Sequence, residues 1–432
     1  MEDVLYARSQ MALSLGFHII FAAIGVALPL LMVISEALYH RTKNPVYLEL
    51  TKRWAKGTAI LFAVGAVSGT VLSFELGLLF PEFMEHAGAI IGTPFSLEGF
   101  AFFSEAIFLA IYLYGWDRIS PRAHLWSGVG VAVSGAASAF FVVLANAWMN
   151  TPTGFRMVNG EAVDIDPIAA MFSPAAAHEV THMLIACYLS TAALVAGVHA
   201  YYLLRDRDNP FHRKALAIAL SVAAVSSVLQ LVSGDLAAKA VAKLQPVKLA
   251  AMEGQFEDET SAPLRLFGIP DESRRTTDYA IEIPGALSFL AFSDFDAEVK
   301  GLNQFPEEDW PPVAVVHFAF QIMVFSGMLM LLVYGWGAVT ALRRRALPTS
   351  TWFLRAVVAA SPLGFIATEA GWVVTEVGRQ PWIVYGIFRT ADTVTPMPGL
   401  AGTFWTFTAV YILLAVAVVF LLRRQFRQAP AQ

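Results

Sequence analysis

Apolar residues are gathered along this 432-residue chain into long runs, at roughly 11–38, 56–80, 96–116, 125–147, 178–204, 214–233, 313–342, 352–376 and 399–422. Each run is long enough, as a helix, to cross about 30 Å of hydrocarbon. The pattern predicts an all-α polytopic membrane protein with about nine transmembrane helices. A polar stretch, 234–312, interrupts it and divides the chain into helices one to six (1–233), a long extramembrane loop and helices seven to nine (313–432). That loop holds 15 acidic and 7 basic residues, and loops of such length are functional or disordered. Its first part, Ala237 to Glu259, reads as one amphipathic helix, with Val241, Leu244, Lys248 and Met252 at near-helical spacing.

Charge sets the expected orientation. Lys and Arg cluster after helices one, three, five, seven and nine (Arg41 to Lys56, Arg118 and Arg122, Arg205 to Lys214, Arg343 to Arg345, Arg423 to Arg427), whereas the short alternate loops hold none (81–95), Arg156 alone (148–177) and Arg379 with Arg389 (377–398). Basic loops stay cytoplasmic, so the N-terminus is expected outside, the C-terminus in the cytoplasm and the 234–312 loop at the outer face. The start lacks a basic n-region and its apolar run is too long for a cleaved signal, so the first helix is expected to remain. Composition agrees with this class: 57% of residues are hydrophobic and 15% charged. The single cysteine, Cys187, excludes an intrachain disulfide or a Cys-rich metal site.

Polar groups inside the apolar runs carry the candidate chemistry. A charged side chain in the bilayer costs about 2.5 to 3.5 kcal/mol on insertion scales, so it faces a partner, a cavity or a metal. Glu376 ends helix eight in such a place, either as a functional carboxylate or as a helix-end acid paired with Arg379. His18 lies inside helix one, His178 and His182 open helix five, and Met323 lies about three turns into helix seven. Each alone could be packing or a helix-to-helix hydrogen bond. Haem needs only one or two axial groups per iron, drawn from different helices, so one His/Met pair and two single ligands would serve three haems. Glu98 and Glu105, two turns apart on one face of helix three, could relay protons or be neutral and hydrogen-bonded. Glu75, Glu369 and Asp117 are further acids of this kind.

His178-Glu179-Val180-Thr181-His182 also matches the HExxH zinc pattern, which taken alone suggests an intramembrane metalloprotease. A third zinc ligand is missing; Gly234-Asp235-Leu236 is the nearest segment, and the motif explains neither Glu376 nor the long loop.

The chain resembles subunit I of the cytochrome bd-type quinol oxidases, from helix one to helix nine. The most specific string is Gly371-Trp372-Val373-Val374-Thr375-Glu376-Val377-Gly378-Arg379-Gln380-Pro381-Trp382, supported by Leu97-Glu98-Gly99, Gly115-Trp116-Asp117-Arg118, Asn146-Ala147-Trp148-Met149, Lys248 to Glu253 and Gln321-Ile322-Met323. The resemblance implies that His182 and Met323 are axial ligands of a low-spin haem b. It implies that His18 and Glu376 are single ligands of two high-spin haems, one haem b and one haem d or a third haem b, with Trp372 and Arg379 beside them. Lys248 and Glu253 would serve quinol oxidation, Glu98 and Glu105 would lie near the high-spin pair, and Asp117 and Asn146 would join a proton path. The implied function is a respiratory terminal oxidase in the bacterial cytoplasmic (inner) membrane. It oxidises ubiquinol or menaquinol outside and reduces O2 to water with protons from the cytoplasm, electrogenic without being a pump. Its implied partners are subunit II and a small single-helix subunit; no nucleic-acid partner is expected. A haem electron-transfer or gas-sensing membrane protein would keep the ligands but not the quinol loop. With about 79 residues the loop resembles that of the short-loop group, a resemblance that makes a cyanide-insensitive type one expectation. Two departures stand out: Gln321 replaces an expected arginine, and Phe256 an expected tryptophan. A lost cation lowers the potential of a nearby haem.

Overall fold

The computed structural model describes residues 2–427. Among these, nine helical spans are long and apolar enough to cross a membrane. The chain opens with α1 (Glu2–Thr42), α2 (Pro45–Leu79), α3 (Pro81–Tyr114) and α4 (Pro121–Asn150). A short α5 (Pro167–Met171) precedes α6 (Ala176–Leu203) and α7 (Pro210–Leu244). The long loop carries α8 (Pro246–Glu253) and α9 (Ala286–Phe292), and the chain closes with α10 (Val313–Arg344), α11 (Thr351–Ala360), α12 (Leu363–Val377) and α13 (Leu400–Arg427). Ten short strands stitch the loops: β1 (Arg156–Val158), β2 (Glu161–Val163), β3 (Glu259–Thr260), β4 (Leu264–Leu266), β5 (Ile269–Asp271), β6 (Thr276–Asp278), β7 (Ile281–Ile283), β8 (Glu298–Val299), β9 (Trp382–Val384) and β10 (Phe388–Arg389). In the long loop β3 pairs with β8, β4 with β7 and β5 with β6, all antiparallel.

Proline explains most helix starts. It lacks the N–H that the first turn leaves unpaired, and its fixed φ suits the first helical position. Pro45, Pro121 and Pro210 follow Asn44, Ser120 and Asn209, whose side chains accept backbone N–H groups of the first turn. Pro81 ends α2 and starts α3 about four turns before the apolar run, so helices two and three are longer than their apolar runs.

Two expectations are corrected, both by proline. The segment Ala237 to Glu259 is not one helix: α7 runs on to Leu244, the chain breaks at Gln245-Pro246, and α8 ends at Gly254, whose φ of +63° favours glycine. The eighth apolar run is two helices, α11 and α12, parted at Ser361-Pro362. At that break α6 comes very close: a Cβ on Gly197 would lie 2.2 Å from the Ser361 Cβ, and one on Gly364 would lie 2.5 Å from the Ser190 Cα.

Helix α1 is the hub, packed on α2, α4, α6 and α13. Its Leu31 and Met32 are fully buried with Leu50 of α2 and Ala196 of α6. A buried polar knot ties α1, α3 and α4 at one end of the bundle. The Tyr112 hydroxyl donates to Glu36 at 2.7 Å, and the two ring nitrogens of His124 lie 2.8 Å from the other Glu36 oxygen and 2.9 Å from the Tyr112 carbonyl.

Candidate functional site

A cavity of about 870 Å³ lies between α6, α7, α10, α12 and the long loop. His182, Met323, Lys248, Glu253 and Trp372 all wall it, so residues separated by up to 190 positions of chain converge on one space. Glycines keep the ligand positions open. A Cβ on Gly371 of α12 would sit 3.1 Å from the Met323 sulfur, and one on Gly234 of α7 would sit 3.5 Å from the His182 ring.

The hydrogen bonds around the two candidate histidines fix their tautomers in the same way. The Nδ1 of His182 lies 3.0 Å from the Ser233 hydroxyl, which donates to the Gln230 carbonyl at 3.1 Å. The Nδ1 of His18 lies 3.0 Å from the Ser68 hydroxyl, which donates to the Val64 carbonyl at 2.9 Å. Each serine has already given its proton away, so each histidine donates from Nδ1 and keeps a lone pair on Nε2. At His182 that lone pair accepts from the Gln230 amide at 2.9 Å. Metal-bound histidines take this form, with the outer nitrogen hydrogen-bonded to orient the ring. His18 also lies flat against α2, where a Cβ on Gly69 would be 2.8 Å from its Cε1.

Glu376 ends α12 and accepts from the Asn146 side-chain amide of α4 and from the Arg379 guanidinium. The pairing with Arg379 read from the sequence is present, and Asn146 adds a second polar partner from α4. Arg379 is 2% exposed, and among the described residues its Nε and Nη1 have no partner, nor has the Trp372 indole N–H. Unpaired buried donors of this kind fit an acidic group that the protein itself does not supply.

Lys248 and Glu253 share α8, whose residues Val247 to Glu253 are all buried. Lys248 donates to the Asn150 side-chain oxygen at 2.9 Å and to the Thr375 carbonyl at 3.3 Å. Burial, with Arg379 nearby, holds its ammonium down to about 7, and burial pushes the Glu253 carboxyl up to about 7 against the opposing pull of Arg265. Gln321, in place of a cation, accepts from the Phe267 N–H at 3.0 Å and donates to the Arg265 carbonyl at 2.9 Å, so it pins the loop to α10. Phe256 is buried beside Trp310.

The acids of α3 face α4. Glu98 accepts from the Ser138 hydroxyl at 2.9 Å, and Glu105 lies against Gly135, where a Cβ would be 3.2 Å from its carboxylate. Asn146 is with Glu376 rather than with these two, and Asp117 lies exposed in the turn after α3. The residues missed from sequence are Ser68, Ser233, Gln230 and Asn150. The i, i+4 spacing of Asn146 and Asn150 was the one available signal for the last of these.

For zinc the site is unsuited. Among the described residues no three His, Cys, Asp or Glu side chains gather to hold a metal ion, so His178 and His182 have no third protein ligand beside them. What the arrangement offers is two histidines held by serine at Nδ1, a methionine sulfur across a glycine-lined cavity, and donors left over for an acidic ligand. That set, on nine membrane-spanning helices among the described residues, fits the haem-binding class of polytopic membrane proteins. The chain belongs to the family of cytochrome bd terminal oxidase subunit I, which it matches over residues 6–430, and the family implies haem cofactors. It is 41% identical to a Bacillus subtilis (strain 168) protein named "Putative cytochrome bd menaquinol oxidase subunit I", covering 100% of this chain and 98% of that one. It is 33% identical to the cytochrome bd ubiquinol oxidase subunit 1 of the same organism, covering 99% and 94%. It overlays the structure of bd oxidase from Geobacillus thermodenitrificans with a TM-score of 0.93 at 42% identity, over 99% of each chain. Family membership leaves the protease and the sensor readings without support.

Proposed function

We propose that this chain is the quinol-oxidising, oxygen-reducing subunit of a bacterial inner-membrane terminal oxidase, working beside a subunit II. The observation that carries the reading is the single cavity walled by His182, Met323, Lys248 and Glu253. It puts a candidate haem-ligand pair and a candidate proton-accepting pair on one wall-to-wall space, so electrons and protons can part there.

In this reading His182 and Met323 hold a low-spin haem b, and His18 and Glu376 each hold a high-spin haem, of b and d type or both b. Bound haem supplies the one-electron steps and the open coordination position for oxygen. The protein's part is positional. Ser233 and Ser68 hold the two imidazoles at Nδ1 and leave Nε2 as the ligating nitrogen, with the Gln230 amide giving way at His182; Gly371 leaves room for the methionine, and Arg379 offers N–H groups to a haem carboxylate. Glu253, with its carboxyl up to about 7, accepts a quinol hydroxyl proton. Lys248, held down to about 7, is a second group that can hold or release one near neutral pH. The substrate is a membrane quinol, ubiquinol or menaquinol, and a small single-helix subunit completes the assembly.

Orientation follows from the basic loops, with the N-terminus and the long loop outside. Two electrons and two protons leave each quinol at that face, and four of each enter each O2 to give two waters. If the reduction protons come from the cytoplasm, past Glu105 and Glu98, charge is separated without a pump. The test is oxygen uptake by the purified complex with a short-chain benzoquinol, set against uptake with a soluble one-electron donor. Lys248→Met and Glu253→Gln are expected to depress the first far more than the second; equal loss with both donors would overturn the quinol assignment.

A further inference from the structure

Asn150, the last residue of α4, is 0% exposed, and its side-chain amide is used on every side. Its Nδ2 donates to the Glu179 carboxylate of α6 at 2.9 Å and to the Asn146 side-chain oxygen at 3.1 Å. Its Oδ1 accepts from the Lys248 ammonium of α8 at 2.9 Å and from the Gln245 amide at 3.4 Å, and Gln245 also donates to its main-chain carbonyl at 3.0 Å. Asn146 then donates to Glu376. The line from Lys248 through Asn150 and Asn146 to Glu376 is three hydrogen bonds, each donated in the same direction.

We propose that Asn150 is a positioning residue for quinol oxidation, fixing Lys248 in the wall of the cavity and coupling it mechanically to Glu376. This rests on the reading of Lys248 as a quinol-site residue. The chemistry of the position narrows the choice of side chain. A buried ammonium needs an acceptor while the neighbouring Glu179 needs a donor, and among neutral side chains an amide meets both with its two N–H groups and two lone pairs. A leucine there would leave Lys248, Gln245 and Glu179 each short of a partner, and an aspartate would set a third acid beside Glu179 and Glu376. Glutamine retains the chemistry with a longer reach.

The experiment uses the whole oxidase complex carrying Asn150→Leu, Asn150→Gln, Lys248→Met or the Asn150→Leu/Lys248→Met double change. Oxygen uptake is measured with a short-chain benzoquinol and with a soluble one-electron donor, and haem content and reduced-minus-oxidised spectra are recorded on the same samples. Asn150→Leu is expected to raise the quinol KM by about 10-fold or more. The ratio of quinol-driven to donor-driven turnover falls in step. The double variant is no worse than Lys248→Met alone, because both changes remove one contact. Asn150→Gln recovers most of the loss. The Glu376-dependent haem band shifts in Asn150→Leu and the His182/Met323 band does not. If Lys248→Met leaves the quinol KM unchanged, the underlying reading of Lys248 is wrong. If Lys248→Met raises it and Asn150→Leu does not, or if the two losses add, the positioning role is overturned. Equal loss with both donors together with lost haem, unrepaired by glutamine, makes Asn150 a purely structural residue and overturns the proposal as well.

Discussion

The Nδ1 of His18 lies 3.0 Å from the hydroxyl of Ser68, and that hydroxyl donates to a backbone carbonyl one turn earlier. His182 and Ser233 repeat the arrangement on another pair of helices. Removing the acceptor frees the ring to take its other tautomer or to rotate. Ser68→Ala and Ser233→Ala are therefore expected to weaken retention of the haem on His18 and on His182 respectively, by about 10- to 100-fold. Haem-to-protein ratios after dialysis against a haem-scavenging apoprotein measure this, and each variant should lose its own signal alone.

Gly371 gives a second prediction. Its Cβ would lie 3.1 Å from the Met323 sulfur, so alanine requires a small adjustment and valine a displaced methionine. Overpacking of this kind costs about 1 to 3 kcal/mol. Gly371→Val is expected to abolish the low-spin spectrum while leaving a folded, detergent-stable complex, whereas Gly371→Ala keeps the spectrum with a shifted midpoint potential.

Glu253 makes the pH dependence explicit. Burial raises its carboxyl from 4.5 to about 7, so it is protonated and idle as a base below that pH and ionised above it. Quinol-driven turnover should rise with pH through about 7. Glu253→Gln loses that acid limb, and its rate falls by about 10² to 10⁴. The same shift bears on stability. The folded state holds the proton that the unfolded chain releases near 4.5, so the contribution is full below 4.5 and is lost as pH rises to about 7. A thermal-unfolding series from pH 4.5 to 8 should show that slope in the parent and a flatter one in Glu253→Gln.

Arg379 tests the fit of an acidic ligand. One arm pairs with Glu376, while Nε and Nη1 are buried with no partner among the described residues. Lysine keeps the charge but not the planar fork. Arg379→Lys is expected to leave the low-spin haem in place and to lower occupancy of the Glu376-dependent haem, read as the ratio of the two bands in one spectrum.

The spans were legible because hydrophobicity acts locally and the bilayer fixes its length scale; His18, His182, Met323 and Glu376 could be singled out as candidates because each is a polar or soft group in an apolar run. The break in the eighth span was not, although Pro362 is plain in the sequence, since a proline inside an apolar run can also kink a continuous helix. The split of Ala237 to Glu259 had the same origin at Pro246. Contacts across the fold were hidden altogether. Asn146 meets Glu376 across 230 positions and Lys248 meets Asn150 across 98, and no spacing rule reaches that far. Ser68 and Ser233 looked like ordinary membrane-helix serines until their acceptors and the neighbouring imidazoles were located.

The most direct test of the central claim is the reduced-minus-oxidised optical spectrum of the purified complex, with pyridine haemochrome quantification and a zinc assay on the same sample. The account predicts about three haems per subunit I, with a low-spin b-type band that disappears in Met323→Leu, and no stoichiometric zinc. A preparation that folds, binds quinol and carries zinc at His178 and His182 but no haem would contradict it.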